Sequence, residues 1–349
     1  SAPSLAYGDV NGDGLTDLVI ANGANDLPLI TVIDGKALFQ ATPLDLGNLP
    51  PSAVLARFYA LTDAQGQPTF RGGLNVAVKG NGAGVPAEIV VGPGVGGGPV
   101  VRTFRVAGGT GIETSSFFAF EPSFRGGVTV ATGNYDGVGP EDIIVGTGPG
   151  GAPRVQVFKD GNPAAQIANF FAYDENFRGG VFVASGNFNG DTMDDIAVAP
   201  GYGGGPHIRV LGNSVGGPIE LASFFAWAPS ASNGLQTLGT NFNNGVGSIS
   251  FGAPIRIGPG VTDGTGRQEI LVSSARGTPL QTRRFLFANA TDRSPSAVTN
   301  LYNELTVPGT LDEFGIPIPM PIPILDPMTG QQLFEGQLFE GGSVAGFTT

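Results

Sequence analysis

The sequence contains no cysteine, which excludes a disulfide scaffold, thiolate metal sites and a cysteine nucleophile. Charge is scarce as well. Asp, Glu, Lys and Arg make up 13% of residues, about half the usual ~25%. The 17 basic residues face 29 acidic ones, for a net charge of −12 and a pI near 4.4, a balance that disfavours a nucleic-acid partner. No run of eighteen or more apolar residues occurs, so no membrane-spanning helix is expected. The chain opens SAPSLAYGDV, without an initiating Met and without a basic segment followed by an apolar stretch; the start reads as processed or trimmed. There is one histidine, His207.

Glycine and proline are abundant instead, 58 and 28 of 349 residues, roughly double the usual ~12% combined. With 41% hydrophobic residues and 24 Phe there is ample material for a core, so the glycine must answer a periodic demand. The string FRGG begins at Phe70, Phe124 and Phe177, 54 and 53 residues apart. Around it a whole unit recurs, such as GGVTVATGNYDGVGPEDIIVGTGPGGAPRVQVFKDG and GGVFVASGNFNGDTMDDIAVAPGYGGGPHIRVLGN. Units start near residues 5, 74, 128, 181 and 235; the first has an insertion after Ile33 and the fifth is the most degraded.

Each unit holds four short apolar segments bounded by Gly, Pro and Asn, the signal for strands joined by tight turns. In the third unit these are 128–132, 142–146, 154–158 and 167–173. Four strands in about 53 residues make an antiparallel blade, and radial repetition protects the blade edges. The expected fold is all-β, a β-propeller of about five four-stranded antiparallel blades over residues 1–290, followed at 291–349 by a short helix (Ser294 to Leu305) and an extended Pro-rich tail (Ile316 to Pro327). The loops Gly92–Pro99, Gly146–Pro153 and Ala199–Pro206 fall at one fixed position, between second and third strands. They read as turns; no GxxxxGK[ST] is present to make a phosphate cradle. The FFAF, FFAY and FFAW segments read as blade packing, and Arg71, Arg125 and Arg178 as repeated hydrogen-bond donors to carbonyls or a neighbouring blade.

The most chemically pointed stretch is DVNGDGLTD. Asp9, Asn11, Asp13, the Leu15 carbonyl and Asp17 place oxygens at positions one, three, five, seven and nine, which suits Ca²⁺. An EF-hand needs Glu at position twelve, where Ile20 stands. The fourth unit keeps every oxygen position in Asn187, Asn189, Asp191, the Met193 carbonyl and Asp195. The third keeps Asn134, Asp136, the Pro140 carbonyl and Asp142 but has Val138 at position five. The fifth retains Asp263, Thr265 and Glu269, the second little beyond Glu88. The alternative for each loop is an Asx turn without metal.

Strand, D-x-N-x-D-G-x-x-D loop, strand, glycine-rich turn and strand together resemble the FG-GAP repeat propellers of integrin α-subunit heads and bacterial surface proteins. The resemblance covers about Leu5 to Phe287 and implies Ca²⁺ in the loops between first and second strands, together with an extracellular or cell-surface location. The family usually has seven blades, where five repeats are visible here.

No nucleophile elbow, HExxH motif or Cys supports catalysis, and the pairs Glu141–Asp142 and Asp194–Asp195 lie in the calcium-loop register, so an enzyme is not expected. The low-charge surface, the apolar tail with its QLFEG repeat, and insertions at about Ala41–Pro68 and Asn233–Ala253 suit adhesion or self-assembly with other protein subunits into a layer, filament or matrix. A linker role for the tail stands equally open. The second functional class is a lectin-like propeller binding surface glycans through one shallow site per blade.

Overall fold

The computed structural model describes residues 3–38, 44, 48–214, 217–226, 256–262, 265–273, 282–289, 291–293, 295–300, 322–325 and 332–336. Five four-stranded antiparallel blades account for most of them. The first comprises β1 (Ser4–Gly8), β2 (Asp17–Ala21), β3 (Leu29–Ile33) and β4 (Val54–Tyr59). The second comprises β5 (Leu74–Lys79), β6 (Glu88–Pro93), β7 (Val100–Ala107) and β8 (Thr110–Phe118). In the third, β9 (Val128–Gly133), β10 (Asp142–Thr147), β11 (Arg154–Phe158) and β12 (Gln166–Phe171) fall within two residues of the boundaries expected from sequence. The fourth holds β13 (Val181–Gly186), β14 (Asp195–Pro200), β15 (His207–Gly212) and β16 (Ile219–Phe225).

The fifth blade consists of β17 (Arg256–Thr262), β18 (Gln268–Ser273), β19 (Thr282–Leu286) and β20 (Ser296–Asn300). Two sequence expectations change here. Residues 296–300, expected as part of a helix, pair antiparallel with β19, because a blade's third strand offers a ladder of backbone partners that outweighs the local Ser-Pro start signal. The propeller therefore runs to Asn300, past the expected boundary at 290. Residues 227–255, including all of the expected second insertion, and Asp263 lie outside the described residues. In the tail, β21 (Ile322–Leu325) and β22 (Gln332–Gly336, the first QLFEG) form a two-stranded hairpin in which Pro323 lies opposite Glu335. Both strands are edges, where proline is tolerated.

Consecutive blades meet through their first strands, β1 to β5 to β9 to β13 to β17. The second strands are apolar on both faces, so each side of a blade feeds a different core. Val19 and Ala21 of β2 join Val76, Ile89 and Val91 of the second blade. Leu18 and Ile20 turn the other way, onto Ala37, Leu38 and Ala53. Those last residues belong to α1 (Gly35–Leu38) and a 3₁₀ turn at Pro51–Ala53, so the insertion after Ile33 covers the first blade's far face. It ends at Ala53; residues 54–59 of the expected insertion are the fourth strand β4.

Glycine is required where neighbouring blades touch. Gly148 N–H donates to the Gly127 carbonyl at 3.0 Å, and Gly201 N–H to Gly180 at 2.9 Å. A Cβ at Gly148 would lie inside the van der Waals envelope of the Gly126 carbonyl oxygen. The FRGG segments close the same turns, since Gly96 N–H donates to Arg125 O and Gly150 N–H to Arg178 O. The arginine side chains bond carbonyls, as expected from their repetition: Arg125 reaches Pro122 and Phe124, and Arg178 reaches Glu175 and Phe177.

Candidate metal centre

The acidic loops join first to second strands, and the loops of the first and fourth blades fold on matching hydrogen-bond nets. Position one accepts the N–H of position four: Gly12 to Asp9 Oδ1 at 2.6 Å, Gly190 to Asn187 Oδ1 at 2.7 Å. Position three accepts from position five, Asp13 to Asn11 Oδ1 at 2.9 Å and Asp191 to Asn189 Oδ1 at 2.8 Å. Position five accepts from position seven, Leu15 to Asp13 Oδ1 at 2.9 Å and Met193 to Asp191 Oδ1 at 2.7 Å. Positive φ at Gly12 and Gly190 (79° and 82°) permits the turn. In the third loop only the position-three bond recurs, Val138 N–H to Asp136 Oδ1 at 2.9 Å.

Position nine does something that sequence alone did not reveal. Asp17, Asp142 and Asp195 each begin a second strand, are buried, and bind backbone N–H groups. Asp17 accepts from Val10 at 2.9 Å and from Gly35, just past β3, at 2.8 Å. Asp142 accepts from Tyr135 at 3.0 Å and from Asp160, just past β11, at 2.9 Å. Asp195 accepts from Phe188 at 3.0 Å and Asn189 at 3.2 Å. These carboxylates clasp the loop to the blade. Burial pushes Asp17 up to about 6 and Asp195 to about 7, partly offset by the backbone hydrogen bonds.

The preceding residue links blades. Glu141 Oε2 accepts Gly80 N–H at 2.9 Å, Asp194 Oδ2 accepts Asn134 N–H at 2.7 Å, and Gln268 Oε1 accepts Asn187 N–H at 2.9 Å. The acid pairs expected in the calcium register thus divide their work: the first member reaches the blade before it, the second clasps its own loop. The repeated doublet Glu-Asp, Asp-Asp, Gln-Glu was the signal available in the sequence.

A lysine lies against two of the loops. Lys36 Nζ is 2.6 Å from Asp13 Oδ2, and Lys159 pairs with Asp136. In the fourth blade Asn213 stands after β15 and donates to the Tyr135 carbonyl at 3.1 Å. Among the described residues no three acidic or imidazole side chains converge on a common point as a metal cage would require. The donor chemistry of the first and fourth loops nevertheless fits a hard cation, being oxygen throughout with lone pairs left on each carboxylate. In the third loop Asn134 Oδ1 is buried without a hydrogen-bond partner, while Val138 brings no oxygen.

The family model described as "FG-GAP repeat" matches residues 1–36, which span β1 to β3 and the Asp9–Asp17 loop. The first blade is an FG-GAP repeat. An FG-GAP repeat heading five like blades is consistent with an FG-GAP propeller throughout. No curated protein matches the sequence. Solved structures similar to this chain include rhamnogalacturonan lyase YesW (14% identity, TM-score 0.39) and the exotype rhamnogalacturonan lyase YesX (13%, 0.39), each over 86% of this chain and 65% of the lyase. The chain thus spans just under two thirds of their length. Sqt1 of Chaetomium thermophilum is similar at 13% identity and TM-score 0.36, over 86% of this chain and 72% of that one. Likeness at this level concerns strand arrangement and carries nothing about chemistry.

Proposed function

We propose that the chain is a non-catalytic, calcium-stabilised extracellular propeller serving cell-surface adhesion or self-assembly. The matching nets of the first and fourth loops carry this reading: two segments 178 residues apart hold Asp9, Asn11, Asp13, Leu15 and Asp17, and Asn187, Asn189, Asp191, Met193 and Asp195, in one arrangement of oxygen donors. The third loop, Asn134, Asp136, Pro140 and Asp142, is the weaker relative. Bound Ca²⁺ would supply charge neutralisation where the loop's carboxylates crowd. With external calcium in the millimolar range and a dissociation constant of about 10⁻⁴ M, each site would add ~1.4 kcal/mol, a substitute for disulfides in a chain without cysteine.

FG-GAP repeats are typically extracellular, and no helix among the described residues is long and apolar enough to cross a membrane. The non-catalytic reading is supported by the engagement of the acid pairs as backbone acceptors and of His207 in a ring stack. Calcium titration with metal analysis, melting with and without chelator, and imaging at several protein concentrations test the proposal. An unchanged melt after chelation would sink the calcium part. Monodisperse single particles at every concentration would sink assembly.

A further inference from the structure

The second Phe of each repeated pair faces solvent, against the expectation that these segments serve packing alone. Phe117 packs edge-on against Phe158, centroids 4.9 Å apart, so strand alternation turns Phe118 outward. Tyr59, Phe118, Phe171 and Phe225 close the outer strands of the first four blades at 43, 57, 47 and 44% exposure. Phe118 is the most exposed, and its surroundings explain why. Phe225 lies opposite His207, whose ring stacks on it at 4.8 Å. The same position opposite Phe118 is Val100. The residue before the repeated proline of the turn is Leu27 in the first blade and Ala152 in the third, but glycine in the second (Gly98) and the fourth (Gly205), and in the fourth His207 covers the ring instead.

Gly98 is the floor of an open cleft of about 390 Å³ lined also by Val100, Arg102, Ser116, Phe118 and Arg125. A methyl at Gly98 would stand 3.8 Å from Phe118 Cε1 and 3.9 Å from Arg125 Nη1, filling the space between ring and guanidinium. Arg125 is fixed by the Pro122 and Phe124 carbonyls and makes no ion pair among the described residues. Arg102 pairs with Glu113 at 3.3 Å, and its Nε is buried without a hydrogen-bond partner. The cleft therefore combines an aromatic face with an uncompensated positive charge in a chain of net charge −12.

We propose that this second-blade cleft binds an acidic saccharide. The apolar face of a pyranose ring stacks on Phe118 and its carboxylate meets Arg125. A sugar acid carries both complements on one ring, and an open cleft admits a polymer running past. This goes beyond the assembly reading and does not depend on calcium, since the second blade has lost most of the loop oxygens. It also replaces one glycan site per blade with a single site.

The test is calorimetric titration of the full chain, at one fixed calcium concentration, with a glucuronate-containing tetrasaccharide and a glucose tetrasaccharide. The acidic oligomer should bind and weaken with salt. F118A, R125A and G98A should each weaken it by about tenfold or more, while F171A leaves it unchanged. G98A keeps ordinary contact distances and an ordinary φ, so its melt should match wild type. Equal binding of the neutral oligomer, retained binding in G98A, no binding of either sugar, or tighter binding of a peptide through its terminal carboxylate would overturn the proposal. A chelated protein that still binds the sugar would keep this inference standing even if the calcium reading fell.

Discussion

Asn134 and Asp194 are joined twice across the boundary between the third and fourth blades. The Asp194 carboxylate accepts Asn134 N–H at 2.7 Å, and Asp194 N–H donates to the Asn134 carbonyl at 2.9 Å. The same pairing recurs between Gly80 and Glu141 and between Asn187 and Gln268, whereas the first joint has only the Ala87 N–H to Asp9 carbonyl bond at 2.8 Å. D194A leaves a backbone donor without its acceptor, which should cost ~1–3 kcal/mol. D194N keeps an acceptor oxygen, as Gln268 does at the next joint, and should stay near wild type. Urea denaturation of both variants checks this; equal stability of D194A and wild type would show that the joint draws nothing from the side chain.

Gly148 and Gly98 occupy neighbouring blades' glycine-rich turns yet should respond oppositely to alanine. A Cβ at Gly148 collides with the Gly126 carbonyl oxygen, while Gly148 N–H is tied to the adjacent Gly127 carbonyl at 3.0 Å, so the two backbones cannot part without losing that bond. G148A should lose ~2–3 kcal/mol or fail to fold, against no loss for G98A. Thermal melts of the pair separate turns where glycine is obligatory from one where it only leaves space.

Features with a period were legible in the sequence, and features set by a neighbour were not. The β9 to β12 boundaries could be read because their apolar segments repeat at the blade spacing. The strand at 296–300 could not, since what makes it a strand is its partner β19. Asp17, Asp142 and Asp195 stood out as loop acids, but their N–H partners at Gly35 and Asp160 come from the exit of a distant strand. The outward Phe118 was legible in principle: in a strand, adjacent Phe residues must face opposite ways.

Lys36 would compete with any cation entering the first loop, because its ammonium sits 2.6 Å from Asp13 Oδ2, the position-five oxygen. The contact raises the lysine pKa, first through that hydrogen bond and then through Asp13's charge, so Lys36 stays cationic at neutral pH. If calcium binds as proposed, K36M should tighten the first loop a few-fold and leave the Asn187–Asp195 loop unchanged. K159M should act likewise on the third loop, where Lys159 holds Asp136. Titrations that resolve individual sites check this, and unaltered affinity in K36M would show that the ammonium yields without cost.

His207 gives the chain a pH dependence that can be isolated because it is the single histidine. Its ring lies between Phe225, stacked at 4.8 Å, and Tyr173 at 5.7 Å, with Nε2 2.8 Å from Ser223 Oγ. Burial and then the charge of Arg209 lower its pKa, with Glu220 pulling weakly the other way. Below the ordinary value of about 6.5 the unfolded chain therefore binds the proton more readily than the native one. Stability from this group is present above about pH 6.5, is lost progressively as pH falls to the depressed native pKa, and levels off beneath it. Asp17 and Asp195, raised to about 6 and about 7, tilt stability the opposite way, but they are common to wild type and H207Q. The difference between the two denaturation profiles isolates the histidine: wild type should lose stability relative to H207Q on acidification, and the ring C–H resonances should titrate below pH 6.5. A titration at or above that value, or a difference flat with pH, would contradict the half-buried neutral imidazole.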